Sequence, residues 1–225
     1  MNLVLTDSEG PSPGVAYLVQ TMDRLRAPGG CPWDMAQTHQ TLVRHLLEEA
    51  FEAAEAIEDG DRAALLEELG DVLLQVVFHA AIAAGEPDPF DLDDVARAVA
   101  DKLIRRHPHI FEGAGPDPAM TAEESHRRWD QMKAAEKARG SVLDGIPVAQ
   151  PALARAQKVV ARAERGGVVP AQPADTASLG GQLLALVKAA QQAGLDAESE
   201  LRLATRQLEK DIRAVESQRK EAGCE

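Results

Sequence analysis

From Leu69 to Ile82 the chain is apolar on almost every side of a helix: Leu69, Val72, Leu73, Leu74, Val76, Val77, Phe78, Ala80, Ala81 and Ile82. A rod of that kind must be mostly buried. Yet Glu68, Asp71, Gln75 and His79 fall at i, i+3, i+7 and i+11, on a single polar stripe. Carboxylates taken out of water are costly unless a cation neutralises them. Arg44, His45 and Arg62 are the few basic residues nearby in sequence. The preceding segment has the complementary pattern. Over residues 44–59, Leu46, Leu47, Ala50, Phe51, Ala53, Ala54 and Ile57 fill one face, and Glu48, Glu49, Glu52, Glu55 and Asp59 the other. Taken alone, that acidic face reads as a solvated one. Opposite the second stripe it reads differently. Carboxylate pairs at i, i+3, one on each helix of an antiparallel hairpin, converge on one point. Mg2+ takes about six oxygens in octahedral array and keeps places for water and phosphate. Glu49-x-x-Glu52 supplies one pair and Glu68-x-x-Asp71 the other.

Helical periodicity extends well beyond this hairpin. It predicts helices over 15–26, 38–58, 62–84, 91–106 and 121–139, and again over 178–218. No segment sustains period-two alternation, so the fold class is all-α with no sheet. Asp91 with Asp94 marks one helix start and Thr121-Ala-Glu-Glu124 is a capping box. Pro108 stops the fourth helix. Residues 27–37 and 107–120 read as loops, and Gly166 to Pro173 as a linker.

Composition narrows the partners. Lys and Arg number 24 against 37 Asp and Glu, for a formal charge of −13, and aromatics are 3%. That balance excludes a nucleic-acid backbone and an aromatic base-stacking platform as partners. Two cysteines, Cys31 and Cys224, fit a reducing cytoplasm, and Cys31 reads as structural. The N-terminal residues lack the pattern of a secretory signal. The run from Val72 to Ala84 is too short, and too polar at Gln75 and His79, for a membrane span. The histidines show no zinc-ligand spacing.

Four segments, in order, resemble the MazG family, the all-α nucleoside triphosphate pyrophosphohydrolases. They are Cys31-Pro-Trp-Asp34 with Gln37-Thr38, then Glu48-Glu49-Ala-Phe-Glu52 with Glu68-Leu-Gly-Asp71. Asp101-Lys-Leu-Ile-Arg-Arg-His-Pro-His-Ile-Phe111 and Trp129-x-x-x-Lys133 follow. The resemblance covers about residues 20–140. It implies that Glu49, Glu52, Glu68 and Asp71 bind Mg2+, with Mn2+ as a substitute, and that Lys102, Arg106, Trp129 and Lys133 contact a nucleotide. The implied reaction turns a nucleoside or deoxynucleoside triphosphate and water into the monophosphate and pyrophosphate. Its implied role is clearance of unwanted nucleotides. A substrate-restricted relative (dUTP, dCTP or phosphoribosyl-ATP) and a non-catalytic helical module are the alternatives.

A triphosphate beside four carboxylates needs cations, and Lys102, Arg105 and Arg106 stand at i, i+3, i+4. An ordinary basic C-terminal turn would look the same. Glu48 and Glu52 are the candidate proton acceptors for the attacking water. Trp33 and Trp129 are the candidate base-stacking residues, with core anchoring as the plainer role.

The tail reads as a faded second copy. Glu68-Leu-Gly-Asp71-Val-Leu-Leu aligns with Ser178-Leu-Gly-Gly181-Gln-Leu-Leu, and Asp101 to Arg106 aligns with Arg206 to Asp211. The apolar frame survives and the chemistry does not. The expected organisation is a flexible N-terminus (1–14), a catalytic domain (15–146), a connector helix (147–165), a linker (166–177) and an inactive second half (178–225). Apolar surface left over on so small a bundle points to a homodimer sharing a four-helix core, or a higher oligomer.

Overall fold

A computed structural model describes residues 14–111, 120–135, 140–169 and 175–222, and every regular element among them is a helix. The expected flexible N-terminus lies outside the described residues but for Gly14. In chain order the helices are α1 (Gly14–Arg26), α2 (Pro32–Ala36), α3 (His39–Asp59), α4 (Arg62–Ala83), α5 (Leu92–Arg106), α6 (Pro108–Phe111) and α7 (Ala122–Ala135). Then come α8 (Ala152–Arg165), α9 (Leu179–Ala193) and α10 (Ala197–Ala222). The chain divides into two compact units, Met1–Met132 and Lys133–Glu225.

The first unit is organised by the α3–α4 hairpin. Thr38 opens α3 with a reciprocal cap: its hydroxyl accepts from the Thr41 amide at 3.3 Å, and the Thr41 hydroxyl accepts from the Thr38 amide at 3.0 Å. Gly60 closes α3 in the left-handed region (φ 69°), where a side chain is disfavoured. Asp61 then caps α4, accepting from the amides of Ala63 and Ala64 at 2.9 and 3.1 Å. With only Gly60 and Asp61 between them, the two helices run antiparallel side by side. Met22 of α1, Leu42 of α3 and Val77 and Phe78 of α4 form the core, and Leu18, Leu74, Ile82 and Leu92 pack around it.

Burial of α4 differs from the expectation. Its C-terminal half is buried at Gln75, Val77, Phe78, Ala80 and Ala83. Leu66, Leu69 and Leu73, nearer its N-terminus than these, are exposed, as are Leu46, Leu47, Phe51 and Ile57 of α3. The apolar periodicity therefore encodes a face that this chain's own core does not cover.

Both predicted loops contain a short helix. Pro32, fixed at a helix-compatible φ, starts α2 inside 27–37, and Pro108 starts α6 inside 107–120. Pro108 also stops α5 as expected, with His107 as its C-cap. The capping box of Asp91 and Asp94 is formed at 3.0 and 3.1 Å, and Thr121 with Glu124 forms the other.

In the second unit the predicted helix over 178–218 is two helices. Gly194 (φ 73°) breaks it between α9 and α10. The Gln157 amide ties this corner together: its Nε2 donates to the Leu195 carbonyl at 2.7 Å and its Oε1 accepts from the Ala197 amide at 2.8 Å. The connector is helical from Ala152, after Pro151, and not from residue 147. Ser178 is the N-cap of α9, accepting from the Gly181 amide at 3.1 Å. A Cβ at Gly181 would lie 1.7 Å from the Asp175 carbonyl oxygen, so this close approach demands glycine. The two residues aligned with Glu68 and Asp71 thus serve the helix start. Among the described residues no helix is long and apolar enough to cross a membrane.

Candidate metal centre

The hairpin brings one face of α3 against one face of α4, and the acidic stripes meet there. Carboxylate oxygens of Glu49, Glu68 and Asp71 all lie within 4.8 Å of one another, and each of the three side chains is half-buried. In an octahedral Mg2+ site with bonds of about 2.0–2.1 Å, neighbouring oxygens stand about 2.9 Å apart and opposite ones about 4.2 Å. The observed spread is of the same order as those values. The donor set, hard oxygens only, suits Mg2+ or Mn2+ and not a soft metal.

The carboxyl groups of the cluster raise one another's pKa values. Loss of hydration holds the Glu49 carboxyl above its ordinary range, and Asp71, Glu52 and Glu68 push it further in the same direction. Glu68 is also raised, first by desolvation and then by Glu52, Glu67 and Asp71. Glu52 stands one turn along α3 from Glu49 and its charge raises the Glu49 pKa, without belonging to the set of three. Glu48 is exposed and is engaged by His45, with Oε2 3.2 Å from Nδ1.

Beyond Asp71 the polar stripe of α4 turns inward. Gln75 is 6% exposed. His79 meets His39 of α3, with 2.7 Å between their Nδ1 atoms. Their ring planes lie within 9° and their centres 5.0 Å apart, the separation of two coplanar imidazoles joined nitrogen to nitrogen. One ring donates and the other accepts. Burial lowers the His79 pKa first, and the neighbouring His39 lowers it further. Glu86 approaches the far side of His39, 3.6 Å from Nε2. Gln75 and His79 were visible as members of the stripe; the pairing across 40 residues required the hairpin register.

The remaining site residues are spread over other helices. Trp33 of α2 is 53% exposed and stands edge-on to His45 of α3 and Phe78 of α4, at 6.1 and 6.4 Å between ring centres. Lys102 of α5 is half-buried and Arg105 is exposed. Arg106 is 7% exposed, with its guanidinium carbon 5.3 Å from the centre of the Trp129 ring on α7. This cation–π contact was not foreseen; the basic turn and the tryptophan are too far apart in sequence to signal it. Trp129 also lines an open cleft of about 420 Å³ with His107, Ala122 and Ser125. The side chain of Lys133 lies outside the described residues.

Residues 37–111 match the model of the MazG nucleotide pyrophosphohydrolase domain. An uncharacterized 26.1 kDa protein in the blaB 3′ region of Streptomyces cacaoi is 46% identical over 208 residues, 91% of this chain and 84% of its own length. The nucleoside triphosphate pyrophosphohydrolase of Mycolicibacterium smegmatis is 42% identical over 92% of this chain. That of Escherichia coli K12 is 46% identical over 67%. The chain spans 61% and 57% of the length of these two named relatives. A mazG-related protein of Thermotoga maritima, known from a crystal structure, is similar over 53% of this chain and 98% of its own, at 31% identity and a TM-score of 0.44.

Proposed function

The chain belongs to the MazG family, and from that premise we propose that it hydrolyses nucleoside or deoxynucleoside triphosphates to the monophosphate and pyrophosphate in a Mg2+-dependent reaction. The observation that carries this reading is the convergence of Glu49, Glu68 and Asp71, from two helices, within 4.8 Å. Bound there, Mg2+ would neutralise phosphate charge and acidify water.

The chain's own residues divide the remaining work. Glu49, Glu68 and Asp71 are the ligands, and Glu52 stands close enough to Glu49 to complete them or to take the proton from the attacking water. Glu52 is favoured over Glu48 for that role, because Glu48 is held by His45 outside the cluster. Lys102, Arg105 and Arg106 bring positive charge to the phosphates, and Lys133 is assigned with them on family resemblance alone. Arg106 also braces Trp129 by cation–π contact, which suits that indole to a nucleoside. Trp33 reaches across the hairpin from His45 to Phe78 and offers a second aromatic surface.

Two further readings accompany the chemistry. The exposed Leu46, Leu47, Phe51, Leu66, Leu69 and Leu73 of the hairpin favour a homodimer joined through α3 and α4. Ser178 and Gly181, committed to starting α9, favour a second unit without a metal role. Two cysteines far apart in sequence suit a reducing cytoplasm, and the role in clearing unwanted nucleotides rests on the family resemblance.

The test is pyrophosphate release across a panel of NTPs and dNTPs, with and without a chelator. Glu68→Ala and Glu52→Ala are each expected to abolish turnover while the helical circular dichroism spectrum persists. Chelator-resistant turnover, or a Glu68→Ala variant as active as the parent, would refute the reading.

A further inference from the structure

The end of α5 and one face of α7 line an open cleft of about 420 Å³, within the size of small-molecule sites, about 300–1,000 Å³. Ala122, Ser125 and Trp129 stand at i, i+3 and i+7 on that face, and the two small side chains leave room beside the indole. Arg106 lies over the Trp129 ring, 5.3 Å from its centre. His107, the C-cap of α5, lines the same cleft. Its Nδ1 stands 2.7 Å from the Leu103 carbonyl oxygen, one turn back on the helix. A carbonyl only accepts, so Nδ1 carries the proton, and in the neutral imidazole Nε2 is an acceptor. The Nδ1 edge of the ring is thus turned onto α5, and the edge bearing Nε2 is the one left for the cleft. The side chain is half-buried, not enclosed, and among the described residues neither Nε2 nor the Ser125 hydroxyl has a hydrogen-bond partner.

We propose that His107 is a specificity-determining residue whose Nε2 accepts an N–H from the edge of a nucleobase held in this cleft against Trp129. The proposal rests on the triphosphate reading above. An indole offers a flat apolar surface to a planar heterocycle. Beside it, a fixed acceptor and a hydroxyl that turns to either polarity match an edge carrying an N–H next to a lone pair. Every ordinary base has such an edge: N6–H beside N1 in adenine, N4–H beside N3 in cytosine, N1–H beside O6 in guanine, N3–H beside O4 in uracil and thymine. The pair therefore admits all of them and discriminates against a heterocycle that lacks the N–H, because the imidazole acceptor is then left unmatched. Breadth among ordinary bases and selection for the N–H come from one residue.

The experiment uses the full chain with two substrates, ATP and purine riboside triphosphate, which differs from ATP only in lacking the 6-amino group. Pyrophosphate release gives kcat/KM for each with Mg2+. The variants are His107→Asn, whose amide N–H keeps the place of Nδ1 against Leu103 but does not reach the place of Nε2, and His107→Gln, which restores an acceptor at that reach. The parent is expected to favour ATP by about tenfold. His107→Asn should bring the ratio close to one by lowering kcat/KM for ATP alone, His107→Gln should recover a preference for ATP, and both should melt with the parent when nucleotide is absent. A parent that does not distinguish the two substrates, or a His107→Asn variant that loses equally on both, would overturn the assignment. If His107→Asn does not fold, the parent's ratio and His107→Gln decide in the same way: a ratio near one in either counts against His107. Turnover of neither substrate by the parent would instead remove the triphosphate reading beneath the proposal.

Discussion

Replacing Glu49 by Gln should make the metal-free protein more stable and the metal-loaded protein less so. Glu49 and Asp71 place carboxylate oxygens within 4.8 Å of one another. Two unit charges at that distance repel by about 0.9 kcal/mol at the dielectric constant of water, and salt reduces this further. Relief of that repulsion at low ionic strength is worth up to about 1 kcal/mol, which for a chain of this size is about 2–4 °C in melting temperature. With metal the sign reverses. An ion present at a hundred times its dissociation constant stabilises the parent by about 2.7 kcal/mol, and the variant has lost one charged ligand. Melting curves in EDTA and across a Mg2+ titration should therefore cross: the variant is higher in EDTA and lower at saturating Mg2+. A variant that melts below the parent in EDTA, or gains as much from Mg2+ as the parent does, would refute the idea that these carboxylates repel one another until an ion arrives.

Other perturbations probe the frame and the site edges. Gly60→Ala adds a side chain at φ 69° with no atom within 4 Å of the new Cβ, so its cost is conformational alone; chemical denaturation should show about 1 kcal/mol lost and an unchanged m-value. His79 has a depressed pKa when folded, so its contribution is present above the unfolded value of 6.5 and is lost as pH falls through that value toward the folded one. The melting temperature should accordingly drop on acidification below pH 6.5, and His79→Gln should flatten that drop; an identical pH profile in the variant would exclude His79 as its source. Trp129→Ala should weaken nucleotide binding by about tenfold in calorimetry with little change in the melting temperature of the free protein, because its ring lines the cleft and meets Arg106.

The hairpin and its carboxylates were legible because their signals are local. Asp91 and Thr121 cap where capping chemistry predicts, and the i, i+3 spacing of Glu68 and Asp71 places both on the face that meets Glu49. Helix α2 was not legible, since five residues are too few to show a period and Gly29, Gly30 and Pro32 read as loop. The split of α9 from α10 turned on the left-handed backbone of Gly194, which helical periodicity passes over. Leu66 and Leu69 show the limit of hydropathy most clearly: a pattern specifies that a face wants cover, not whose surface provides it. The His39–His79 pair and the Arg106–Trp129 contact join residues distant in sequence, and only the fold sets their register.

The connection through Gly60 and Asp61 carries a consequence for the order of assembly. Every proposed ion ligand from Glu49 to Asp71 lies within one short contiguous stretch, so bringing them together closes a small loop at little entropic cost. Contacts of such low sequence separation form early. On the proposed function, a divalent ion would then act on the nascent hairpin as a template, locking its register before α5 and everything beyond it has left the unfolded ensemble.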